Sequence, residues 1–233
     1  MKLNNCSTYV VFLCAAILSG AGCSTANQNG EHFSTKYRTT DGRTADIGTR
    51  TPSDGGWTFK EPHMDKCWIA SGFDFQGYDT LLIMPTLSTV QPQTPEEGYD
   101  LESEKKILAD DLGWFFRERG IVTNVVTSEE QVPPGARVLK LQNTITDFKR
   151  GSVSGRYWAG LFGGGQPTLR VAGIMTDGGK PVFTFEARRS GVSADARMLV
   201  VSDEQVQRED VRSMTLDISD FAAAIAGKYQ PKN

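Results

Sequence analysis

The sequence predicts an α/β sandwich, with a mixed, largely antiparallel sheet of about five strands and two main helices packed on one face. Three observations carry this. The apolar run Leu81-Leu-Ile-Met84, an amphipathic stretch and a second apolar run, Ile121-Val-Thr-Asn-Val-Val126, read as a strand, helix and strand forming a βαβ crossover. Residues 137–149 alternate, with Leu139, Leu141 and Ile145 on one side and Lys140, Gln142, Thr144 and Thr146 on the other, as a half-buried strand requires. Asp177-Gly-Gly-Lys180 separates strand-like runs at 168–177 and 181–189 and reads as a tight hairpin, since glycine takes positive φ at little cost.

From the start of the chain, Lys2 is the only charged side chain in the first 23 residues, and the run from Tyr9 to Leu18 follows it. As a helix this run spans about 15 Å, too short to cross a bilayer, so residues 1–22 read as a secretory signal peptide. Ser19-Gly-Ala-Gly-Cys23 resembles the lipobox of bacterial lipoproteins, which implies cleavage before Cys23 and lipidation of its thiol. The alternative is an ordinary cleavage site with a chance cysteine. Two or more acyl chains anchor a protein stably, so the expected state is anchored to a membrane without spanning it. Ser24 stands where the lipoprotein pattern would have Asp for inner-membrane retention, which implies an outer-membrane anchor facing the periplasm.

Processing changes the composition. The full chain of 233 residues has 25 basic and 28 acidic side chains; loss of Lys2 leaves 24 against 28 and a net charge of −4. An acidic balance argues against a dedicated nucleic-acid partner, which needs a basic face. Of four cysteines, Cys6 and Cys14 leave with the signal peptide and Cys23 is acylated, so Cys67 remains without an intramolecular disulfide partner. Its apolar neighbours suggest an inert core thiol, with a reactive or intermolecular thiol as the alternative.

Residues 23–62 read as the lipidated cysteine and a flexible polar tether: after Cys23, 39 residues hold seven apolar side chains and eight threonines. Such a coil spans on the order of 35 Å. The globular domain is expected at 63–229. Its first helix is expected to be capped by Asp100 or Ser103, to bury Leu101, Leu108, Leu112 and Phe115, and to end at Gly120. A last helix from about Asp203 to Lys228 carries the apolar stripe Val211, Met214, Ile218, Phe221, Ala222 and Ile225.

Chemistry-bearing constellations are few. The stretch Gly151–Gly165 is glycine-rich but lacks the Gly-Lys-Ser/Thr ending of a phosphate loop, and a strand rather than a helix follows it. If the strands at 137, 168 and 181 form a meander, Lys149, Arg150, Arg156, Arg170, Arg188 and Arg189 gather at one edge beside Tyr157, Trp158 and Phe162. Arg150, Arg156, Tyr157, Trp158, Arg188 and Arg189 are then a candidate partner- or anion-binding rim; a solvated rim is the alternative. His32 and His63 fall in or beside the tether, so no Ser-His, Cys-His or metal-ligand arrangement is legible. No catalytic residue, metal or cofactor is expected.

Cys67-Trp-Ile-Ala-Ser-Gly-Phe-Asp-Phe-Gln-Gly-Tyr-Asp79 leading into Leu81–Pro85, the 151–165 loop with Arg156, and the 177–180 hairpin resemble the bacterial lipoproteins grouped as domain of unknown function 4410. The resemblance covers roughly residues 67–228, implies fold and location, and brings no catalytic residues. By element order alone the chain is also similar to α/β domains of periplasmic envelope proteins. Together these readings imply a lipid-anchored envelope lipoprotein acting as a non-enzymatic interaction or assembly module with an envelope protein partner. An accessory subunit of a transport or secretion system and a cell-wall-active enzyme are the alternatives.

Overall fold

A computed structural model describes residues 31–38, 44–60, 64–152, 167–190 and 202–227, giving only the backbone course of those before residue 50. Among them, ten strands form one sheet: β1 (Glu31–Arg38), β2 (Thr44–Ser53), β3 (Gly56–Phe59), β4 (Lys66–Ala70), β5 (Thr80–Ile83), β6 (Leu87–Ser88), β7 (Asn124–Val126), β8 (Val138–Lys149), β9 (Thr168–Asp177) and β10 (Lys180–Arg189). The helices are α1 (Pro95–Glu118) and α2 (Asp203–Ile225). Strand order is β1-β2-β3-β4-β10-β9-β8-β5-β7, with β6 also on β8.

The expected class holds, and α1 links the adjacent parallel strands β5 and β7 as the apolar runs implied. β8, β9 and β10 form the expected antiparallel meander, closed by Gly178 and Gly179 at φ +53° and +84°. β8 marks the change of sense, parallel to β5 and antiparallel to β9.

Register sorts the faces. Phe59, Cys67 and Phe185 are successive cross-strand partners, as are Trp57, Ile69, Phe183, Met175 and Leu141. These rows point at the helices and form one core with Leu108, Leu112 and Phe116 of α1 and Met214, Ile218 and Phe221 of α2. The intervening rows, such as Thr58-Trp68-Thr184-Ile174-Gln142, lie on the face opposite the helices. Both helices therefore cover the same side of the sheet.

Two expectations change. The segment read as a tether carries β1, β2 and β3, so the sheet has ten strands rather than about five and begins well before residue 63. Its threonines suit extended backbone, and Asp54-Gly55, at φ +39° and +76°, forms a tight hairpin between β2 and β3. The cap of α1 is Thr94, whose hydroxyl accepts from the Glu97 amide at 3.2 Å, with Pro95 opening the helix, instead of Asp100 or Ser103. Gly120, at φ +66°, follows its last turn as expected.

One glycine is dictated by packing. A Cβ on Gly173 would lie 2.1 Å from Cζ of Phe185, whose fully buried ring crosses the β9 backbone at the paired position. Gly173→Ala is expected to lower unfolding free energy by about 2–3 kcal/mol in urea titration, because the core must open to pass the methyl group. Phe185→Leu in the same chain should recover part of the loss. An unchanged midpoint for the single variant would contradict this packing account.

Candidate functional site

The meander does bring basic residues to one end of the sheet. Lys149 pairs with Thr168, Arg170 lies opposite both Asp147 and Arg188, and Arg189 lies opposite Leu169. The charges, however, are largely matched. Arg150 Nε is 3.2 Å from Asp100 on α1, and Arg170 Nη2 is 3.8 Å from Asp65 before β4. Arg189 turns to the helix face and donates to Asp217 of α2, whose side chain is 3% exposed. Arg189 is thus part of the α2-to-sheet junction, whereas Arg188 is exposed on the opposite face. Arg156, Tyr157, Trp158 and Phe162 lie outside the described residues, as do Cys23 and His63.

A second buried ion pair joins the helices: Arg119 Nε donates to Asp220 Oδ1 at 2.6 Å. Burial nevertheless pushes the Asp220 carboxyl up to about 6; Arg119 opposes this and nearby Asp217 adds to it. Here desolvation of the carboxylate outweighs the attraction of its partner.

Beneath the charged end lies the most strongly shifted carboxyl among the described residues. Glu104 of α1 is 4% exposed, and burial pushes it up to about 7. Arg208 of α2 works against the shift, and Asp100, Asp210 and Glu204 work with it. Its Oε2 and the Nε2 of Gln207 find no hydrogen-bond partner among the described residues, and both residues line a cavity of about 10 Å³ with Phe148, Thr168, Leu169 and Val211. That volume suits a single water molecule and no larger ligand.

Cys67 is fully buried in the core row between Phe59 and Phe185, the environment of an inert thiol. Among the described residues, no group of three or more His, Cys, Asp and Glu side chains converges as a metal site needs. Reading by residue type missed Glu104, Arg119, Asp217 and Asp220. The signal that could have found the two aspartates is their place inside the buried half of α2.

An opening lined mainly by apolar side chains lies at the other end of α2. Arg50, Trp57, Phe59, Ile69, Phe73 and Ile225 line a cleft of about 340 Å³, and the Arg50 guanidinium stacks 3.9 Å from the centre of the Trp57 ring.

No family model matches the sequence, and no curated protein matches it. Among solved structures, the chain is similar to the PelC dodecamer from Paraburkholderia phytofirmans, at 16% identity and a TM-score of 0.42 over 65% of this chain and 96% of that one. It is similar to a Xanthomonas campestris protein of family DUF330, at 13% identity and a TM-score of 0.40 over 68% and 90% of the two chains. A putative neuraminyllactose-binding hemagglutinin homologue from Helicobacter pylori follows, at 9% identity and a TM-score of 0.35 over 61% and 84%.

Proposed function

We propose that the chain is a lipid-anchored protein of the bacterial envelope, held at the outer membrane through Cys23 and facing the periplasm, whose domain is a non-enzymatic interaction or assembly module. The anchor rests on the apolar run ending in small residues before Cys23, which fits the likeness to lipoproteins of family 4410. No described helix is long and apolar enough to cross a membrane.

The observation that supports an interaction role is the open sheet face. Both helices cover one side, while on the other Ile174 is 46% exposed and Leu87 53% exposed, flanking β8 from its two neighbouring strands. Large apolar side chains left on the uncovered face of a sheet, near Thr144, Thr184 and Gln142, suit contact with another surface.

One cell experiment tests both parts. A Gram-negative host is fed a tagged fatty acid, and a photo-crosslinking residue replaces Ile174 or, as a control on α1, Trp114. Label on the parent chain and none on Cys23→Ala, with protein adducts at 174 in excess of 114, is the expected result. Label retained by Cys23→Ala would remove the anchor, and equal or absent adducts at 174 would remove the interaction face.

A further inference from the structure

The N-terminal halves of α1 and α2 meet differently from the rest of the core. Further along, the helices join it through apolar side chains such as Leu108, Leu112, Met214 and Phe221, and the buried carboxylates Asp217 and Asp220 each have a guanidinium. Here Glu104, 4% exposed, and Gln207, 7% exposed, face a cavity of about 10 Å³ walled by Phe148, Leu169 and Val211. Neither Glu104 Oε2 nor Gln207 Nε2 has a hydrogen-bond partner among the described residues.

The cations at this end of the helices are already held. Arg208 of α2 lies 2.9 Å from Glu204, and Arg150, which follows β8, lies 3.2 Å from Asp100 of α1. Asp210 of α2 lines the cavity too, Lys149 at the end of β8 is exposed, and β9 contributes the uncharged Thr168 and Leu169. Ionised Glu104 is therefore a buried charge near three other carboxylates, and the guanidinium that opposes them is engaged by one of the three. That is the physical reason burial pushes its carboxyl up to about 7 against the pull of Arg208.

The same stretch is the most lightly packed part of α1. Tyr99 is 79% exposed, and before Leu108 the helix buries Leu101 and Glu104 alone. A helix end held by two buried side chains, one of them ionisable, can open without unfolding the domain.

We propose that Glu104 and Gln207 form a proton-operated clasp: with Glu104 neutral the turns of α1 before Leu108 stay closed on α2, and with Glu104 ionised they lift and let water reach the carboxylate. Because the closed form binds the proton more tightly, low pH favours it and high pH favours opening. Lifting carries Asp100 away from Arg150, so the state of the clasp is passed to the basic end of the sheet.

Hydrogen exchange on the full chain carrying Cys23→Ala tests this, with each amide rate divided by its intrinsic rate at the same pH. Between pH 5.5 and pH 8 the amides of residues 100–107 are expected to lose protection by about tenfold or more, while those of residues 112–117 and of β9 hold theirs. Glu104→Gln should keep residues 100–107 protected at both pH values. Asp220, which burial pushes up to about 6 further along the helices, is the competing group, and Asp220→Asn should leave the loss at 100–107 in place. Equal protection of 100–107 at both pH values, a loss shared equally by 112–117, or a loss that persists in Glu104→Gln would overturn the proposal.

Discussion

Replacing Glu104 by Gln is expected to stabilise the protein at pH 8 and to leave it unchanged near pH 4. The folded-state pKa of about 7 lies above the ordinary carboxyl value of 4.5. Below 4.5 both folded and unfolded chains hold the proton, and the site contributes nothing to the pH dependence. Between 4.5 and 7 the folded chain binds more protons than the unfolded one, so stability falls as pH rises. Above 7 the whole penalty is present, amounting to about 3 kcal/mol at most, since each tenfold change in proton affinity is worth about 1.4 kcal/mol. The glutamine amide removes it by carrying no charge into the α1–α2 junction, at nearly the same volume. For a domain of this size the gain corresponds to several degrees of melting temperature. Thermal melts of both chains across pH 4 to 8 check this. A difference that does not grow with pH would show that Glu104 is solvated in solution and would remove the account of its burial.

Legibility in the sequence follows the range of the interactions involved. β8, β9 and β10 were readable because strand alternation and a Gly-Gly hairpin are local, and the stripe of α2 because helical periodicity is local too. β1, β2 and β3 were not, since their polar residues give no alternation and a strand without an apolar period looks like coil. The Asp-Gly pairs at 41–42 and 54–55 were the local signs of turns there. The first turn of α1 was missed for a similar reason: Pro95, Glu96 and the 79% exposed Tyr99 put no apolar residue on the core side. The lengthened sheet also explains α2. Because α2 runs against β1 and β2 as well as β9, β10 and α1, burial extends beyond the predicted stripe to Thr215, Asp217, Ser219 and Asp220. Their ionic partners, Arg189 and Arg119, lie 28 and 101 residues away, a distance at which no sequence pattern pairs charges. The basic rim was half legible for the same reason. Topology placed the arginines at one end, but only three dimensions show which of them turn inward.

Arg189 and Arg188 make that division measurable. They are neighbours on one strand, equal in charge and length, and they face opposite sides of the sheet. Arg189→Met is expected to lower unfolding free energy at pH 8 by about 3 kcal/mol, because it leaves the Asp217 carboxylate, 3% exposed, without its guanidinium. Arg188→Met removes an exposed charge and should change stability by no more than about 0.5 kcal/mol. Adding Asp217→Leu to Arg189→Met removes the buried carboxylate as well and should recover most of the loss, since an apolar replacement of a buried pair is often neutral. Urea titrations of the two single variants and the double variant at pH 8 decide the matter. Equal costs for Arg188→Met and Arg189→Met would mean that both arginines are solvated and would return Arg189 to the candidate binding rim. Unequal costs make Arg189 a strut of the fold and leave Arg188 and the half-exposed Arg150 as the described side chains of the rim that reach solvent.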